Sequence, residues 1–153
     1  MTHIADLLPS SNVLLGVDAP SKSRLFDAIG ALFERTMGLS RQLVVDSLAT
    51  REKLGSTGLG QGIAIPHGRI KGLPEARGAF ARLAEPIAFD APDGKPVSQV
   101  FVLLVPEHAT EEHLQLLSEL AQMFSDRAFR DELRVADTPE RLHAVFAHWQ
   151  PAG

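Results

Sequence analysis

The run Val97-Ser-Gln-Val-Phe-Val-Leu-Leu-Val105 limits the fold more than any other part of this chain. From Val100 to Val105 it is apolar without a break, so it has no polar face to turn towards water. A strand of that kind is buried on both sides, as in a sheet covered by helices. It is also far too short to cross a bilayer, which takes about 20 apolar residues in a helix.

Helical periodicity on either side of this strand supplies the cover. A short helix is predicted over Thr2–Leu8, stopped by Pro9. A strand follows over Asn12–Val17, with Val13, Leu15 and Val17 on one face. Ser21 or Ser23 caps the next helix, whose stripe is Leu25, Ile29, Leu32 and Phe33, and Gly38 ends it. Ser40 caps a second helix that turns Leu43, Val44, Ser47 and Leu48 inward. Beyond the glycines, Ala76–Leu83 is a weak strand anchored by Phe80, and Pro86–Asp90 is short and extended. Ala91-Pro-Asp-Gly-Lys95 is a turn, in which proline presets one angle and glycine accepts a positive one.

Three helices close the chain. Thr110 starts the first, with Leu117, Leu120, Ala121 and Phe124 as its stripe and Glu111 and Glu112 at its positive end. Arg127–Val135 is the second. Thr138-Pro139-Glu140 opens the third, which buries Leu142, Val145, Phe146 and Trp149. The fold class read from this order is α/β: a single-domain sandwich with a central mixed sheet flanked by helices. The domain covers residues 1–153, with an ordered core from about 4 to 148.

Composition narrows the function. Fifteen Lys and Arg against nineteen Asp and Glu give a net charge of −4, with no Tyr and one Trp. A nucleic-acid binder needs a basic stripe and stacking platforms, so none is expected as a partner. There is no cysteine, which removes disulfides, thiolate metal sites and Cys nucleophiles and fits a reducing cytoplasm. Met1-Thr-His-Ile-Ala-Asp has no basic n-region or apolar h-region, so neither a signal peptide nor membrane insertion is expected.

The costliest stretch to order is Arg51-Glu-Lys-Leu-Gly-Ser-Thr-Gly-Leu-Gly-Gln-Gly-Ile-Ala-Ile-Pro-His67-Gly-Arg69. Ile63-Ala64-Ile65 reads as a brief buried strand, Pro66 holds Ile65 extended, and His67 follows in a loop beside Gly68. No dinucleotide fingerprint, nucleotide P-loop or nucleophile elbow is present. Arg51 has two readings: a cation at a helix C-terminus, or a guanidinium aimed at an anion held by the loop. His67 is either a structural histidine or a nucleophile, and His113 either a residue at the edge of the core or its partner. A phosphoryl group on His67 would bring close to two negative charges. Arg51, the Ser56 and Thr57 hydroxyls and loop amides can answer that charge, and His113 can orient His67 or bond a phosphoryl oxygen. His3, His143 and His148 are taken as surface or structural residues, and a zinc site joining His67 to His108 and His113 has no supporting motif.

The long motif resembles the phosphorylation motif of enzyme IIA proteins, fructose–mannitol class, of the bacterial phosphoenolpyruvate-dependent phosphotransferase system. Pro86-Ile-Ala-Phe-Asp90, Val102-Leu-Leu-Val-Pro106 and His113-Leu114 extend the resemblance over nearly the whole chain. The Arg-Glu-Lys-Leu-Gly-Ser-Thr-Gly and Gly-Ile-Ala-Ile-Pro-His-Gly-Arg wording is most similar to the nitrogen-regulatory branch. Gln61 stands where close relatives carry Asn. The resemblance implies a phosphotransferase component acting mainly as a regulator. His67 is then the phosphoryl acceptor, through Nε2, from a histidine phosphocarrier protein, with His113 as second active-site histidine and Arg51 for charge stabilisation. Ser56, Thr57, Gly58 and Gly68 are the expected phosphoryl-binding positions, with no metal or cofactor. Regulated partners would be proteins such as kinases or transporters. The alternatives are a sugar-specific enzyme IIA that passes phosphate to an enzyme IIB, a non-catalytic regulatory binding module and a metal-dependent hydrolase. Docking is expected on an apolar patch around His67 lined by Leu59, Ile63 and Phe89.

Overall fold

The computed structural model describes residues 4–109 and 111–150. Strand β6, Val97–Pro106, is the axis of the sheet, and it carries the uninterrupted apolar run. On one side it pairs antiparallel with β5 (Arg77–Ile87), which pairs parallel with β1 (Val13–Val17). On its other side it pairs parallel with two short strands in succession, β3 (Ile63–Ala64) and β4 (His67–Ile70). Strand β2 (Gly58–Gly60) lies antiparallel on β3. The sheet is therefore mixed, in the order β1-β5-β6-β3-β2, with β4 continuing beside β6.

Both faces of β6 are buried, as its composition requires. Val100, Val102 and Leu104 pack towards α2 (Lys22–Met37) and α3 (Arg41–Lys53). Phe101, Leu103 and Val105 pack towards α1 (Ile4–Leu7), α4 (Glu111–Ser125), α5 (Arg127–Val135) and α6 (Pro139–His148). Local chemistry sets the helix ends. Ser21 Oγ accepts from the Arg24 amide, Ser40 Oγ from the Leu43 amide and Thr138 Oγ1 from the Arg141 amide. Gly38, at φ +69°, ends α2 in the left-handed form that a Cβ disfavours. The predicted cap Thr110, and Thr2 and His3, lie outside the described residues.

Several elements differ from expectation for identifiable reasons. Val17 does not share a face with Val13 and Leu15. A register shift between Leu15 and Val17, at Gly16 with φ +77°, sends it to the α2–α3 side. The weak strand and the first two residues of the expected Pro86–Asp90 segment form one long strand, β5, and Asp90, at φ +55°, lies beyond it; the ladder is irregular between Arg82 and Ile87, where proline offers no N–H. Leu43 is exposed and not inward. In α4 the buried stripe is Leu116, Leu120, Met123 and Phe124, which leaves Ala121 exposed and Leu117 half-buried. Leu116 and Leu117 are both apolar, so a 3.6-residue period cannot say which of two adjacent ridges meets the sheet. The rotation aligns His113, Leu117 and Ala121 along the side of α4 that faces the glycine stretch.

Candidate functional site

The site forms at the sheet edge, where β4 runs between the end of α3 and the start of α4. His67 is the first residue of β4 and registers with Leu103, so it stands on a strand and not in the expected loop. Pro66 separates β3 from β4. Its carbonyl accepts from the Leu103 amide, and the Ile65 amide turns away to the Thr57 carbonyl. The Ile65 carbonyl lies 2.9 Å from His67 Nδ1. A carbonyl can only accept, so Nδ1 carries the proton and Nε2 presents a lone pair. Arg51, in the last turn of α3, donates Nε–H to that lone pair at 3.1 Å and Nη1–H to the Gly55 carbonyl at 2.9 Å. Both readings of Arg51 thus meet in one side chain, which reaches from the helix terminus to the histidine.

Gly68 explains how β4 comes so close to α3. A Cβ there would stand 2.1 Å from Ser47 Oγ, which donates to the Arg69 carbonyl. His113, in the first turn of α4, closes the site from the opposite side. Its ring centroid lies 5.2 Å from that of His67, edge to face, and its Nε2 is buried without a hydrogen-bond partner. Burial, then the charges of His67, Arg69 and Arg51, push its pKa down to about 4. His67 is also held below the usual histidine value, first by burial. The Ile65 carbonyl raises it, Arg51 lowers it and Glu52 raises it. Both rings are neutral at pH 7.

Ser56, Thr57 and Gly58 wall a depression of about 330 Å³ next to His67. Their polar groups are already engaged. Thr57 Oγ1 and its amide both donate to the Glu52 carboxylate, at 2.6 and 2.9 Å. Ser56 Oγ donates to the Phe89 carbonyl and accepts from the Gly58 amide. Gly58 is small because a Cβ would press on Ala91 at 2.9 Å. A second cavity, of about 520 Å³, opens on the other side of His67 and Arg51 and includes Gly68, Arg69 and His113. Arg69 and Glu52 are the residues that sequence reasoning left without a role. Arg69 follows His67 by two, so recognising β4 would have placed both on one face.

The apolar surroundings also need correction. Ile63 and Phe89 are each 1 % exposed and belong to the core. Leu59 does reach the surface, and the exposed apolar residues beside His67 also include Leu43 and Leu54, of which Leu54 is 81 % exposed. Among the described residues no three His, Asp or Glu side chains gather as a metal site needs, and no helix is long and apolar enough to cross a membrane.

Residues 6–149 match the family model described as "Phosphoenolpyruvate-dependent sugar phosphotransferase system, EIIA 2". A nitrogen regulatory protein of Pseudomonas aeruginosa is 44% identical over 146 residues, 95% of each chain. The crystal structure of nitrogen regulatory protein IIA-Ntr from Neisseria meningitidis superposes with a TM-score of 0.88 at 52% identity, over 94% of this chain and 98% of that one. IIA mannitol from Escherichia coli, at 20% identity, shares the fold with a TM-score of 0.74, over 90% of this chain and 97% of that one.

Proposed function

The chain belongs to the EIIA 2 family of the phosphoenolpyruvate-dependent sugar phosphotransferase system, in its nitrogen-regulatory branch, and from that premise we propose that His67 accepts a phosphoryl group from a histidine phosphocarrier protein. The observation that carries this reading is the pinned tautomer: Nδ1–H is held by the Ile65 carbonyl and the Nε2 lone pair accepts from Arg51. A neutral imidazole is a competent nucleophile at pH 7.

In the proposed transfer the Nε2 lone pair forms the new N–P bond in line with the breaking one. The electrons of the broken P–N bond return to the carrier's ring, and His67 keeps its Nδ1 proton on the Ile65 carbonyl. Arg51 must first leave Nε2. Its N–H donors then meet the phosphoryl oxygens, so the group that caps the free nucleophile neutralises the charge on the product. His113, neutral beforehand, acquires a reason to bind a proton once that charge arrives, and its unpartnered Nε2 then has an oxygen to donate to. Transfer of this kind is mostly positioning and charge stabilisation. The exposed leucines around the two histidines offer the carrier an apolar footing.

The regulatory output follows from the change of charge. Free His67 presents a neutral ring and phosphorylated His67 nearly two negative charges, on a surface where target proteins such as kinases or transporters would dock. The test is reconstitution with phosphoenolpyruvate, enzyme I and a histidine phosphocarrier, read by intact mass. The wild-type chain is expected to gain one acid-labile phosphoryl group and His67→Ala none. Labelling that persists in His67→Ala would sink the assignment.

A further inference from the structure

Arg69 joins the two sides of the site in a way that neither the motif nor the transfer step uses. It leaves β4 two residues after His67, on the same face of the strand. One nitrogen, Nη1, donates both to the Glu107 carbonyl at 3.1 Å and to the Ala109 carbonyl. These carbonyls belong to the segment running from the end of β6 to the first turn of α4, where His113 sits. Among the described residues no other side-chain hydrogen bond holds residues 107–109. We propose that Arg69 is a positioning residue for His113: it straps the entry to α4 onto β4 and sets the distance between the two histidine rings.

The strap has an electrostatic side as well. The charged and titratable groups around His113 are His67 and Arg69 on β4, Arg51 and Asp46 on α3, and Glu111 and Glu112 on α4 itself. The Arg69 cation lowers the His113 pKa, and so does the burial that the strap maintains. Removing Arg69 weakens both influences in the same direction. His113 must then protonate at higher pH, and it must stand less firmly against His67. The inference rests on the phosphoryl-transfer reading for its kinetic arm but not for its titration arm.

Three measurements on Arg69→Met and Arg69→Lys test it: histidine ring titration by NMR, thermal melting, and the rate of phosphoryl uptake from the phosphorylated carrier. Arg69→Met is expected to melt close to wild type, to raise the His113 pKa above about 4, and to slow uptake about tenfold, below the ~100-fold penalty of a 1 Å misplacement. Both bonds leave one nitrogen, so a lysine ammonium of similar reach can make the same pair. Arg69→Lys is expected to restore most of the rate and the low His113 pKa. An unchanged His113 titration and rate in Arg69→Met, or no rescue by lysine, would overturn the proposal. If Arg69→Met fails to fold, Arg69→Gln must still raise the His113 pKa, and a wild-type value there overturns it too. A wild-type chain that takes no phosphoryl group defeats the functional reading and leaves the titration result standing.

Discussion

The glycine stretch from Gly55 to Gly62 and the short strand β4 stand side by side, and they spend their polar groups in opposite ways. In the glycine stretch the Ser56 hydroxyl and Thr57 hydroxyl and amide are donated inward, to Phe89 and Glu52, and the Gln61 amide is held by the Asp93 carboxylate. The stretch is a scaffold whose donors are taken up by residues packed around it. Strand β4 places His67 Nε2 where the Arg51 guanidinium caps it, opposite a His113 Nε2 with no partner. The difference teaches that the hydrogen-bonding capacity left uncommitted here, which the proposed transfer needs, lies on β4 and α4, and glycine density marks the frame around it.

The strongest way to break that comparison is to disturb β4 without touching a reactive group. Gly68→Ala drives a methyl into Ser47 Oγ, and overpacking of this kind costs about 1–3 kcal/mol. The expected result is a lower melting temperature and phosphoryl uptake reduced by an order of magnitude or more, because His67 is displaced with the strand. Uptake at the wild-type rate in a folded Gly68→Ala protein would show that the fit of β4 against α3 is irrelevant to the chemistry.

Thr57→Val probes the scaffold instead. It removes a buried hydroxyl bond to a carboxylate, worth about 1.5–3 kcal/mol, and leaves the backbone amide bond to Glu52 in place. Stability should fall measurably by denaturant titration while uptake changes less than in Gly68→Ala. A Thr57→Val protein of normal stability that no longer takes phosphate would make the hydroxyl a ligand contact and reverse the comparison.

The gentlest probe is pH. His67 and His113 both have folded pKa values below the ordinary 6.5, that of His113 about 4. Between about 6.5 and 4 the unfolded chain therefore binds more protons than the folded one. The stabilisation from keeping both rings neutral is complete above about 6.5 and declines as pH falls towards 4, partly screened because the rings are not fully buried. Across this range the denaturant midpoint of wild type should fall more steeply with decreasing pH than that of His113→Gln. Parallel curves would mean that the His113 environment does not depress its pKa.

Much of the fold was legible in the chain. Uninterrupted apolarity in Val100–Val105 demanded a sheet covered on both faces, and serine, threonine and glycine marked helix ends whose caps depend on neighbours three or four residues away. What was misread depended on partners distant in sequence. The face of Val17 turned on a bulge at Gly16, the stripe of α4 on how that helix lies across the sheet, and the burial of Ile63 and Phe89 on what packs over them. The site divides along the same line. Its motif pointed to His67, His113 and Arg51, and the structure brings these together. Arg69 was invisible as a contributor until His67 was known to begin a strand.

The sequence by itself determined the helices, the apolar axis of the sheet and which residues are candidates for chemistry, because these depend on side-chain type and short spacing. Only the tertiary structure decided that Arg51 caps Nε2, that Ser56 answers the Phe89 carbonyl and that His113 lies 5.2 Å from His67. Such choices are settled by competition among distant groups for a limited number of donors and acceptors, and no local pattern records which of them wins.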